Sequence, residues 1–139
     1  MSNRFAIVSS TLLCLALIAA HPAPTRLGRD ALIGKWTATI TPDDDAHRAG
    51  EREVKDELTF KGGTFASTAF AKRGFDPGPY DEEIHPGSVG GFSAIQNNKS
   101  GDGNIKWNGF VAAGELSGTL VWTKKDGTVL NYTFKGSKE

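Results

Sequence analysis

Gly103 to Gly136 reads GNIKWNGFVAAGELSGTLVWTKKDGTVLNYTFKG, and its spacing leaves the chain little freedom. Ile105, Trp107 and Val111 share one parity, as do Leu116, Leu120 and Trp122, then Leu130, Tyr132 and Phe134. Apolar residues at every second position make a strand with one buried face. Ala113-Gly114 and Lys125-Asp126-Gly127 supply the glycines that hairpin turns need for positive φ. Three antiparallel strands carrying Trp107 and Trp122 therefore place the core here.

The preceding chain extends the same pattern. Ile33 to Ile40 is a first strand with Trp36, Ala38 and Ile40 on one face, closed by Thr41-Pro42. Asp43 to Gly50 is a charged surface connection. Glu51 to Phe60 puts Val54, Leu58 and Phe60 in phase, with Asp56 as an unexpected member of that face. Lys61-Gly62-Gly63 turns the chain, and Thr64 to Ala71 runs back. Phe65 and Phe70 have opposite parity there, which a bulge would reconcile.

Lys72 to Gly91 is irregular, with three prolines and five glycines, and Tyr80 to His85 is its one candidate strand. Gly91 to Asn97 is another strand, with Phe92, Ala94 and Gln96 on one face, and Asn97 to Asn104 is a polar turn. No amphipathic helix stands out. Short strands joined by sequential hairpins predict an all-β fold, a small up-and-down antiparallel β-barrel of about eight strands.

Arg4 followed by the apolar run Ala6 to Ala20 has the layout of a secretory signal peptide, with cleavage expected after Ala20. Cys14 lies inside that run behind Leu12-Leu13, which argues against a lipid anchor. The expected organisation is residues 1–20 as signal, 21–31 as a flexible leader and 32–139 as the barrel domain. Cleavage would remove the single cysteine, leaving an exported (periplasmic or extracellular) domain held by packing alone. Without Arg4, 15 basic face 16 acidic side chains, and no basic stripe exists. Nucleic acid and anionic membrane surfaces are excluded as expected partners.

Gly34-Lys35-Trp36 opening the first strand of such a meander resembles the lipocalin and avidin group of calycin barrels. The resemblance implies that Trp36 packs across one barrel end against a basic side chain from near the last strand, and Lys135 is the candidate. Trp107-Asn108-Gly109 and Gly118-Thr119-Leu120-Val121-Trp122 are similar to avidin sequences. No biotin site carries over by motif. Barrels of this type host isomerases in some cases, so an isomerase is one implied function class.

Trp36, Trp107, Trp122, Tyr132 and Phe134 either line a ligand cavity or fill the core, and the short domain favours filling. Asp56, Gln96 and Tyr132 are the polar groups that a cavity would use. Phe75 and Tyr80, aromatic residues in an irregular stretch, either meet a ligand or fold back as a lid. The expected site is therefore Phe75, Tyr80, Trp107, Trp122 and Tyr132 at the barrel mouth, binding a small hydrophobic ligand without catalysis. The alternative is a protein-binding or inhibitor module with a filled core.

Catalysis, cofactors and metals have little sequence support. Asp43, Asp44, Asp45, His47, Glu51 and Glu53 lack the spacing of a calcium loop. Glu82, Glu83 and His85 would need a third ligand for zinc, and no nucleophile motif is present.

Overall fold

A computed structural model describes residues 31–84 and 86–139. The expected signal and nearly all of the expected leader lie outside the described residues, as does His85. Eight strands form a closed barrel in the order β1-β2-β3-β4-β5-β6-β7-β8. They are β1 (Gly34–Pro42), β2 (Val54–Lys61), β3 (Thr64–Ser67), β4 (Gly78–Glu83), β5 (Gly90–Asn97), β6 (Asn104–Ala112), β7 (Glu115–Thr123) and β8 (Val129–Lys138). Every neighbouring pair is antiparallel, and β1 closes the barrel against β8. The all-β, up-and-down, eight-stranded reading of the sequence is what the chain adopts.

Period-two alternation decides which side chains enter the barrel. Along β6, Ile105, Trp107 and Val111 are buried while Lys106, Asn108 and Phe110 face outward. The turn to β7 is Ala113-Gly114, both at positive φ (51° and 76°), the twist a two-residue hairpin requires. Ala113 is the sole non-glycine in that region among the described residues. Gly109 sits on the inward face, where a Cβ would come within 2.8 Å of both Phe92 and Phe134. Its missing side chain makes the room those two rings fill.

Three local readings need correction. Asp43–Gly50 is not only a loop. Asp43 accepts a hydrogen bond from the Ala46 N–H at 2.8 Å, and a helical turn, Asp44–Arg48, follows with Ala46 buried. Phe65 and Phe70 need no bulge, because β3 ends at Ser67 and the helical turn Thr68–Ala71 changes the period between them. The strand within 72–91 is β4, Gly78–Glu83, two residues earlier than the sequence placed it.

Strand direction separates the two ends of the barrel. At the closed end Trp36 is buried, and its indole Nε1 donates to the Leu32 carbonyl at 2.9 Å. The cation over the Trp36 ring is Lys138, with Nζ 5.7 Å from the ring centroid, and not Lys135. Parity explains this correction. Lys135 is one residue out of phase with Phe134 and points outward, towards Glu115 at 3.6 Å. Lys138 shares the phase of Tyr132 and Phe134, and β8 runs far enough to set it beside Trp36. Gly34, at φ 125°, lies under it, since a Cβ there would meet Lys138 Cε at 3.0 Å.

Candidate functional site at the barrel mouth

The opposite end gathers the Asp43–Glu53 connection, the segment from Ser67 to Gly78, and the β5–β6 and β7–β8 turns. Strand pairing is incomplete beside it. β3 pairs with β2 over Leu58–Lys61 only, so Val54–Glu57 runs past the end of β3. β4 meets β3 at two residue pairs and β5 over Gly91–Ala94. Between the mouth-side halves of β2 and β5, the wall is the irregular segment that carries Phe70 and Phe75.

Polar side chains fasten that segment. Asp56, buried on β2, accepts a short hydrogen bond from Ser67 Oγ and another from the Ala69 N–H at 2.8 Å. Burial raises the Asp56 carboxyl above the usual aspartate range, although those hydrogen bonds act the other way. Gln96, buried on β5, donates to the Asp76 carbonyl at 3.0 Å and accepts from Trp107 Nε1 at 2.9 Å. Asn98 Nδ2 donates to the Arg73 carbonyl at 3.0 Å. Asp56 and Gln96, expected as wet contacts of a cavity, thus anchor the segment over the mouth.

The rings beneath are continuous. Phe60 meets Phe65 and Phe92 at 5.1 and 4.7 Å, and Phe65 meets Trp107 at 4.8 Å. Trp107 then meets Phe134 at 5.4 Å and Phe70 at 5.8 Å. Phe70 also lies edge-on to Phe75, Trp122 and Tyr132 at 6.0, 6.3 and 6.0 Å, with interplanar angles of 78–87°. Edge-to-face contacts at such distances are favourable beyond the area they bury.

The five expected site residues separate accordingly. Trp107, Trp122, Tyr132 and Phe75 all surround Phe70. Tyr80 stands apart, half-buried on β4 and edge-on to Phe60 at 5.1 Å. Phe75 is not an exposed loop aromatic. It is 1% exposed, packed perpendicular to Trp122 at 5.3 Å, and its backbone forms an isolated bridge with Asn98.

Sequence reasoning missed Phe70, Glu51 and Arg73. The phase break after Phe65 was the available signal for Phe70. Arg73 donates from Nη1 and Nη2 to the two Glu51 carboxylate oxygens at 3.0 and 2.9 Å. Its guanidinium lies 4.6 Å from the Trp122 ring, which Lys124 also approaches at 4.7 Å. The hydrogen bonds from Arg73 hold the Glu51 carboxyl below the usual glutamate range. Tyr132 is buried beneath this pair, and its hydroxyl stands beside Glu51 and Arg73 without a hydrogen bond of ordinary geometry to either. Burial raises the phenol's pKa further, so Tyr132 stays protonated and is a poor general base.

Compared with family models, with curated proteins and with solved structures, the chain finds no match. The closed eight-stranded antiparallel meander is compatible with a calycin-like barrel. Among the described residues no three metal-ligating side chains converge. A groove of about 460 Å³ on the outer face, lined by Thr37, Thr39, Lys55, Glu115, Lys135 and Ser137, is polar and open and gathers no aromatic residue.

Proposed function

We propose that this chain is an exported, lipocalin-like binding barrel without catalytic activity, which engages a partner protein from its surface. One observation carries the reading: rings in contact from Phe60 through Trp107 to Phe70 fill the interior, and Phe70 with Phe75 occupies the mouth. A filled barrel is a rigid scaffold for recognition at its rim, whereas a carrier of a small apolar ligand needs room that these rings take. The titratable groups at the mouth also have structural partners. Glu51 is held by Arg73, and Asp56 by Ser67 and Ala69.

The test is retention of a single exported protein on the immobilised chain. Binding should be saturable, repeat with the purified partner, and weaken when rim residues such as Lys124 or Arg52 are changed. Absence of any saturable protein partner among the exported proteins of the same cell would overturn this reading.

A further inference from the structure

We propose that two copies of this chain pack antiparallel through the outer face of β5, β6 and β7, about a two-fold axis along the Ser93–Asn108–Thr119 row. This goes beyond the partner reading and uses a surface other than the rim. Register, charge and area lead to it.

Strand pairing sets the outward side chains in three rows. Gly91, Phe110 and Ser117 form one, Ser93, Asn108 and Thr119 the next, and Ile95, Lys106 and Val121 the third. Phe110 and Ile95 are 37% and 48% exposed, on a face whose other side chains, Lys106 apart, are short. Charge is nearly absent. Lys106 is the single charged residue of these rows, and among the described residues it forms no ion pair. The adjoining outer face of β1, β2 and β8 differs, since Lys35, Lys55, Glu57 and Lys135 stand outward there. Mixed charges of that kind suit a face kept in water.

A two-fold axis along the middle row turns the outer two rows onto each other. Phe110 of one copy then lies opposite Lys106 of the other, a cation over an aromatic ring, and symmetry makes the contact twice. Val121 falls on the shorter Ser117, and Ile95 on Gly91 and the flank of the Phe110 ring beside it. Asn108 meets its own copy, which an amide satisfies because it both donates and accepts. The other in-plane axis, along β6, would set Lys106 against Lys106, so charge selects the first arrangement. Face-to-face packing with strands nearly aligned is a regular solution for twisted sheets.

Area sets the strength. Three strands about 4.8 Å apart and about nine residues long present about 400 Å² per copy. That is about half of the usual ~800 Å², so the dimer is reversible and the chain is single at low micromolar concentration.

Sedimentation equilibrium of the full chain is the test. The average mass should rise from one chain towards two between roughly 10 µM and 1 mM, the range a small interface reaches. Amide resonances of Ser93, Ile95, Asn108 and Thr119 should move over the same range, while those of Thr39 and Lys55 stay. Asn108→Asp and Asn108→Lys each put like charges on the axis and should hold the mass at one chain. Asn108 is exposed, so both variants should fold as the wild type does. Mixed in equal amounts they should pair again. Phe110→Ser should weaken the dimer roughly tenfold, since symmetry removes its contact twice. A mass that stays at one chain to the top of that range would overturn the proposal. So would a dimer that survives both Asn108 variants, a mixture that fails to pair, or moving resonances confined to β1 and β2. Retention of an exported partner at the rim depends on none of these results.

Discussion

Arg73 grips Glu51 through two hydrogen bonds of 3.0 and 2.9 Å, and so ties the segment over the mouth to the connection between β1 and β2. The two residues are 22 apart in sequence, and the pair lies over the Tyr132 hydroxyl. Bidentate pairs of this kind have fixed geometry and are among the stronger surface interactions.

The sign of their pH dependence follows from the depressed Glu51 pKa. A carboxyl with a folded pKa below its unfolded value adds stability above the unfolded pKa, near 4.5, and loses it as pH falls through the folded pKa. Asp56 has the opposite shift, so its ionised form disfavours the fold and acidification relieves that cost. Comparing wild type with Glu51→Gln cancels the Asp56 contribution. Urea unfolding at pH 7 should show the wild type more stable, with the gap closing below pH 4.5. A gap that persists unchanged to pH 3 would refute the assigned role of the pair.

Trp36→Ala should cost about 3–5 kcal/mol, the range for deleting a large buried aromatic. Beyond its packing, the substitution removes the hydrogen bond to Leu32 and the ring under Lys138. An unchanged urea midpoint would show that this end of the barrel does not depend on Trp36.

The two lysines at the end of β8 should behave differently. Lys138→Ala gives up a cation–π contact worth about 0.5–1 kcal/mol at an exposed site. Lys135→Ala loses only an exposed pair with Glu115 and should stay within about 0.5 kcal/mol of wild type. Thermal unfolding of both variants checks the order, and a larger loss at Lys135 would reverse the assignment.

Much of this was legible in the sequence. Alternation from Ile105 to Phe134 fixed three strands, and Gly-x-Trp located a barrel end, because period and turn chemistry are local properties. Local patterns do not contain what closes the mouth. A four-residue helical turn at Thr68–Ala71 is too short to leave an amphipathic trace, so in a strand pattern Phe70 is out of phase although it turns inward. Phe75 lies between glycine and aspartate, and the contacts that bury it, with Trp122 and beside the bridge to Asn98, are remote in sequence. The parity of Phe134 points Lys135 outward and puts Lys138 in phase with the inner face, but the apolar repeat that reveals the strand stops at Phe134, while β8 continues to Lys138.

Tyr132→Phe removes a buried hydroxyl that stands beside Glu51 and Arg73 without a hydrogen bond of ordinary geometry. Leaving such a group unmet costs free energy, so the variant should match the wild type or exceed it by up to about 1 kcal/mol. A loss above about 1 kcal/mol in urea unfolding would mean that the hydroxyl has a partner in the folded protein.

The central claim is that the chain's own rings fill the barrel, and the mass of the natively purified protein tests it most directly. Measured under native and then denaturing conditions, the two masses should agree, because Phe70 and Phe75 occupy the mouth and Trp107 the interior. A native mass exceeding the denatured one by that of a single apolar small molecule would contradict the account and make the barrel a carrier.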